Sequence, residues 1–428
     1  MKGTLVKIIR SPVYMMLVAF LVRVVYTLIS RSYYFVGLWD MFEPANLARS
    51  LAIGHGYSDP YVAATGPSAL IPPIYPWIAS LAFRAFGVFS HGAGFAMVVF
   101  NSVFSALTCW TVYRIARRVF NETVAVWSGW LWAASPFAIY YSVGWIWEST
   151  LSAFLLSLLF LLTLEMEGDA RLTSWVVYAL LWGIAGLTNT AELSWLPFSG
   201  CWLAYQLHRR GKRFLVPVLL SAAVFWVTLS PWLVRNYLAF GQMVFIRDNF
   251  GNEFRSGNNP LSQGVKVANY DMAANGNIFA LYERMGEIAI NKKQADEGKA
   301  WVSQHPQRFL ELCLLRFYYF WGGIPRKYDT DPFASLKHLK NLLFLASSLL
   351  AIAGLVLAIK KRVHGTFLFA TLLLFYPLAY YISVTEPRYR HAIEPQLLIL
   401  SMYLFWALAM RFLPHRQPVQ DEVMATTH

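Results

Sequence analysis

The groups in this chain that could do chemistry fall into a few short tracts. The segment Trp39-Asp40-Met41-Phe42-Glu43-Pro44-Ala45-Asn46-Leu47-Ala48-Arg49 sets two carboxylates three residues apart. Paired carboxylates suit glycosyl chemistry, where the transition state at a sugar C1 is cationic and an attacking hydroxyl needs a base. The same pair also fits the start of a helix, with Asp40 as a cap, Glu43 meeting the helix dipole and Pro44 in the first turn. Either Asp40 or Glu43 is therefore a candidate base. Glu148, in Trp147-Glu148-Ser149, is a third acidic candidate. Its plainer alternative, shared by Glu192, is a carboxylate at a span end that reaches for water.

The cationic counterpart is Thr385-Glu386-Pro387-Arg388-Tyr389-Arg390-His391. Arginine forks grip phosphate with two parallel bonds, so Arg388, Arg390 and the neighbouring His391 are candidates for holding the phosphate of a lipid carrier. The alternative pairs the arginines with Glu386 and Glu394 or with ordinary lipid phosphates. Arg235 is a further, weaker candidate of the same kind. The passage from Thr65 to Trp77 is rich in φ-restricted proline, and its Tyr75 either aims a hydroxyl into a site or anchors at the membrane interface. Tyr75, Tyr389, Asn46 and Arg49 make up the candidate substrate contacts. There is no Walker, GxGxxG or HExxH motif, and Cys109, Cys201 and Cys313 are too scattered for a disulfide framework or a zinc site. The sequence requires no metal or other cofactor, although a divalent cation would be compatible with it.

These groups must be positioned by a membrane scaffold. The 428 residues are 57% hydrophobic and only 14% charged, against roughly 25% charged in soluble domains. Apolar runs predict an all-α polytopic protein of about ten spans: 11 to 30, 93 to 113, 123 to 143, 148 to 165, 173 to 189, 193 to 207, 214 to 234, 340 to 359, 366 to 384 and 392 to 412. The N-terminal run reads as the first span, being too long for a signal-peptide core and lacking a clear cleavage site. Two connectors, about 31 to 92 and 236 to 339, far exceed ordinary loop length, and function is expected there. They predict helices over Phe42 to Leu51, Trp77 to Phe86 and Tyr282 to Trp301. The apolar run Phe309 to Trp321 is expected to lie at the interface. Residues 413–428 are expected to form a short polar tail.

The net charge of +13 does not point to nucleic acid, because the basic residues cluster between spans: Arg114/Arg117/Arg118, Arg209/Arg210/Lys212/Arg213 and Lys360/Lys361/Arg362. Under the positive-inside rule these connectors are cytoplasmic. Both termini are then cytoplasmic, and the two long connectors face the periplasm or exterior of a cell inner membrane. The sequon Asn121-Glu122-Thr123 falls on the cytoplasmic side and is discounted. Apart from Arg23 the spans are nearly free of charge. A lipid-sugar flippase or transporter would instead place charged groups along the bilayer interior.

The order of these features resembles the GT-C glycosyltransferases. They comprise a first span, a large outer loop opening with an acidic residue and a juxtamembrane helix, a Pro72-Pro73-x-Tyr75 passage and a late Arg-Tyr-Arg tract. Within that fold the resemblance is to the family 39-like group of protein O-mannosyltransferases, lipid A aminoarabinose transferases and RgtA/B/C/D-like enzymes. It implies a GT-C domain over 1–412 that moves a sugar from a polyprenyl-phosphate donor to a hydroxyl of a periplasmic glycan, lipid or protein, with inversion. It implies a first-loop base at Asp40, with Glu43 its rival, a second acidic residue at Glu148, and a late basic tract at Arg388 and Arg390. A ligase or polymerase using a diphosphate-linked donor is the nearest alternative. One departure stands out: the aminoarabinose transferases carry a phosphate-binding Lys before the Pro-Pro pair, and here that position is Ile71.

Overall fold

The structure is a computed structural model, and it describes residues 7–34, 42–61, 64–328 and 337–412. Asp40 and the tail 413–428 lie outside the described residues. The described part is helical, with helices over most of each apolar run. In chain order the helices are α1 (Pro12–Ser30), α2 (Glu43–Ala52), α3 (Ile74–Phe86), α4 (His91–Val119), α5 (Glu122–Ala134) and α6 (Pro136–Val143). Next come α7 (Ser149–Glu165), α8 (Leu172–Gly186), α9 (Leu196–Arg209), α10 (Leu215–Phe240), α11 (Phe250–Gly257) and α12 (Gly276–Met285). The last are α13 (Glu287–Gln304), α14 (Pro306–Gly322), α15 (Lys337–Lys360), α16 (Thr366–Phe375), α17 (Leu378–Ile382) and α18 (Glu394–Phe412).

Five segments are long and apolar enough to cross a membrane: Pro12–Ser30, His91–Val119, Leu215–Phe240, Leu339–Lys360 and Pro387–Arg411. Three shorter apolar ones, Ser149–Glu165, Leu172–Gly186 and Thr366–Ile382, stand among them. The segment read as one span over 123 to 143 is two helices, because Pro136 has no N–H to continue the ladder and Ser135 caps the new start, its hydroxyl accepting from Ala138 N–H. The break leaves the Ala133 carbonyl without a helical donor and the Trp132 carbonyl with the Ser135 N–H at 3.2 Å. Arg23 of α1 takes up both, at 3.4 and 3.1 Å, and also bonds Ser105 Oγ at 2.9 Å. The single charge within the first span is thus fully buried between helices and serves as a brace rather than facing lipid.

The two long connectors fold together at one end of the bundle. The helix expected over Tyr282 to Trp301 is two helices, split at Gly286, whose φ of 80° needs a residue without a Cβ. The run expected at the interface is α14, 17 residues long. One side of α14 is exposed and apolar at Leu310, Leu314, Phe317 and Tyr318, while the other buries Arg316. The Arg316 fork donates to Gly257 O, Asn258 Oδ1 and Tyr381 O, so α14 is fixed to the end of α11 and to α17. At Gly251 the α11 backbone lies so close to Asn291 O that a Cβ has no room.

The Pro-rich passage has no regular structure, yet its carbonyls are satisfied from both connectors. Arg235 donates to Ser68 O at 2.6 Å, Asp248 N–H to Ala69 O at 2.8 Å and Arg247 to Leu70 O at 3.3 Å. The Tyr57 hydroxyl lies 2.8 Å from Ile71 O and 3.2 Å from Pro72 O. Ala69 N–H in turn donates to Glu287 Oε1 at 2.6 Å. The passage is a wall, built by one connector and pinned by the other.

Candidate active site

Against this wall lies a polar cavity of about 70 Å³ where α2, the bend before α7, the turn before α18 and the second connector meet. Glu43, Glu148, Arg247, Lys266, Arg388 and Tyr389 line it. Glu43 is the first residue of α2, directed there by Phe42, whose ring sits 5.7 Å from both Trp145 and Trp147. Glu148 precedes α7 and makes no side-chain cap bond, which leaves its carboxylate turned to the cavity. Both are half-buried, and the part that stays accessible faces this cavity.

Arg388 sits in the 3-10 turn Pro387–Ile393. Its guanidinium stacks 4.1 Å over Trp147 and 5.8 Å from Trp145, and its Nε is 2.8 Å from Glu386 Oε2. Tyr389 beside it stacks on Tyr380 at 4.4 Å. Lys266 enters from the second connector, 3.1 Å from Asp271 Oδ1 and 3.4 Å from Glu253 Oε1. Asn252 holds Asp271 in turn, donating from Nδ2 at 2.9 Å. A neighbouring cavity of about 80 Å³ shares Lys266 and Arg388, so these two cations stand between two chambers.

Charge and burial work against each other here. Burial raises the Glu43 carboxyl above its usual range, with Lys266 pulling it back and Arg388 adding to that pull. Burial raises Glu148 likewise, opposed by Arg388 and Arg247. Burial alone would lower Lys266, but Glu253, Asp271, Glu43 and Glu386 outweigh it and hold its ammonium well above the usual lysine range. The outcome is two carboxyls more basic than free ones facing a fixed group of cations. That combination suits proton acceptance beside a departing anion.

Several other candidates lie elsewhere. Arg390 points away from the cavity into the bundle, fully buried, with Nε 2.6 Å from Glu394 Oε1. Its fork donates to Trp321 O, Phe344 O and Ser348 Oγ. With Arg388 on Glu386 and Arg390 on Glu394, the pairing weighed for this tract is formed, and only Arg388 keeps a face toward the cavity. His391 is buried against Tyr141 and Trp132, with ring centroids 4.7 and 5.7 Å away. Arg235 lies across the wall, over the rings of Trp232 and Tyr57, in a roomier cavity of about 570 Å³ lined mainly by apolar groups. Tyr75 is buried with its hydroxyl on Asn101 Oδ1 at 3.2 Å. Asn46 and Arg49 belong to α2 but do not line the polar cavity. Glu192 is buried inside the bundle, raised well above the usual carboxyl range by burial, with the Ser152 hydroxyl beside it.

Sequence reasoning did not single out Lys266, Arg247, Glu253 or Asp271, although it expected function in the connector 236 to 339 that holds all four. Ile71 does line the cavity without a charge. Arg247, from the second connector, brings a cation beside it, hydrogen-bonded to the adjacent Leu70 carbonyl. Among the described residues, no three His, Cys, Asp or Glu side chains gather as a metal-binding group.

Residues 71–235 match the family model of dolichyl-phosphate-mannose-protein mannosyltransferases. The match takes in Glu148 and the wall from Ile71 onward but leaves out Glu43, Arg247, Lys266 and Arg388. No curated protein matches the chain by sequence. Among solved structures, the oligosaccharyltransferase AglB from Archaeoglobus fulgidus, in complex with an inhibitory peptide and a dolichol-phosphate, superposes with a TM-score of 0.54 at 12% identity, covering 93% of this chain and 51% of that one. The apo form of the A. fulgidus enzyme gives 0.52 at 13% identity over 94% and 51%. ArnT from Cupriavidus metallidurans bound to undecaprenyl phosphate gives 0.38 at 13% identity over 90% and 78%. The chain spans about half the length of the archaeal enzyme. By its helical architecture, its superposition and the match over 71–235, the chain is a polytopic membrane protein with the GT-C glycosyltransferase fold.

Proposed function

We propose that this protein transfers a sugar from a polyprenyl-phosphate donor to an acceptor hydroxyl, at the membrane face where the two long connectors fold together. The observation that carries the reading is the convergence of Glu43 and Glu148 with Arg388, Arg247 and Lys266 on one cavity at a span end. The acceptor oxygen attacks C1 of the sugar, the bond from C1 to the phosphate oxygen breaks, and the phosphate leaves on its lipid. The hydroxyl proton passes to a carboxylate of the first connector, Glu43 or Asp40 three positions before it in sequence, and a single displacement inverts C1. Arg388, Arg247 and Lys266 stabilise the leaving phosphate, with Arg247 in the place that Ile71 leaves uncharged. Arg390, His391 and Arg235 have no part in this grip. The complex of the A. fulgidus enzyme of the same fold with an inhibitory peptide and a dolichol-phosphate is in keeping with a lipid-phosphate donor.

The test uses the purified protein with polyprenyl-phosphate and polyprenyl-diphosphate sugar donors. Asp40→Asn and Glu43→Gln are compared singly, followed by Glu148→Gln. Loss of about 10²-fold or more in one of the first two assigns the base. Full transfer in both would overturn the mechanism, and turnover of the diphosphate donor alone would replace it with the ligase reading.

A further inference from the structure

At the opposite end of the bundle from the polar cavity, a groove of about 560 Å³ runs between the corner joining α4 to α5 and the last turns of α15 and α18. That volume falls in the range of ligand pockets, roughly 300–1,000 Å³. Its floor is aromatic: Phe120 stacks on Tyr403 with centroids 4.1 Å apart, and Tyr403 on Trp406 at 6.1 Å. Its rim carries two exposed cations, Lys361 and Arg411. Neighbouring cations at this end are paired, Arg114 with Glu165 and Arg117 with Glu122. Among the described residues no carboxylate pairs with Lys361 or Arg411.

We propose that this groove binds an anionic glycerophospholipid, its acyl chain along Tyr403 and Trp406 and its phosphate between Lys361 and Arg411. The groove lies between the ends of two membrane-spanning helices, so its apolar floor meets hydrocarbon and its cations meet the headgroup layer. Charge complementarity selects an anionic lipid over a zwitterionic one. This site is independent of the catalytic reading and stands or falls without it.

The full chain, purified in maltoside detergent, is titrated with dioleoylphosphatidylglycerol or dioleoylphosphatidylcholine and read by native mass spectrometry. The phosphatidylglycerol adduct is expected to persist under activation that strips phosphatidylcholine. The pair Lys361→Gln/Arg411→Gln is expected to weaken that retention roughly tenfold or more. Ala407→Trp, which fills the groove and leaves both charges, is expected to do the same. The control pair Arg118→Gln/Arg213→Gln removes charge at the same end but outside the groove, and retention is expected to hold. Melting curves confirm that each variant is folded. Equal retention of the two lipids, or equal loss in the control pair, overturns the proposal. So does binding that appears only after residues 413–428 are deleted, since the chain's own tail would then be the occupant.

Discussion

Replacing Glu287 by Gln should stabilise the protein at alkaline pH and leave it nearly unchanged near pH 5. The Glu287 carboxyl is buried, accepting from Ala69 N–H at 2.6 Å and from the Tyr282 hydroxyl at 3.2 Å. Burial is the largest influence on it and raises its pKa from 4.5 to about 7. An acid raised on folding binds more protons in the folded state, so its contribution to stability is fully present below about 4.5 and declines as pH climbs through 7. At about 1.4 kcal/mol per pH unit the decline amounts to about 3 kcal/mol by pH 8.5. Gln keeps the bond from Ala69 N–H and offers an N–H to the Tyr282 oxygen, but it cannot ionise. Apparent melting temperatures of wild type and Glu287→Gln, measured in one detergent from pH 5 to 9, should separate by several degrees at pH 8.5, the variant higher, and converge at pH 5. A constant difference across the range, or a variant that melts lower at pH 8.5, would refute the reasoning.

The two arginines flanking Tyr389 should behave oppositely. Arg390→Gln leaves Glu394 buried without its partner and is expected to cost about 3–5 kcal/mol, read as lower melting temperature and poor yield. Arg388→Gln is expected to melt close to wild type while transfer falls by about 10²-fold or more. Arg23→Leu leaves the Ala133 carbonyl at the α5 break without its donor, while Trp132 O keeps the Ser135 N–H, and is expected to destabilise by about 1–3 kcal/mol, measured by thermal unfolding, with KM little changed in the folded fraction.

The membrane elements were legible because hydrocarbon tolerates few polar groups, so each span announces itself as an apolar run and each rim charge stands out. Glu43, Glu148, Arg388 and Tyr389 were found in that way, and all four line one cavity. Lys266 and Arg247 were not, because a charge in a polar connector is unremarkable until the fold buries it. Its value comes from Asp271, Glu253 and the Leu70 carbonyl, which only tertiary structure brings near. The fates of Arg388 and Arg390 were equally hidden. Two residues apart on a 3-10 turn, they point in different directions, one over Trp147 and the other onto Glu394. Gly286 was overlooked in a charged helical pattern, although a lone Gly there is an ordinary break signal.

The wall beside the cavity also sets a clock. Ala69 meets Glu287 across 218 positions of chain. At a synthesis rate of about 5–20 residues per second, roughly 10 to 45 seconds pass between the emergence of one and of the other from the ribosome. Until the last part of that interval the prolines around Ile71 have none of Arg247, Asp248 and Glu287 to hold them. The first connector is then a client for chaperones and a target for proteases, and a chain stalled before residue 287 would carry its membrane helices only as far as α10, with this wall unassembled.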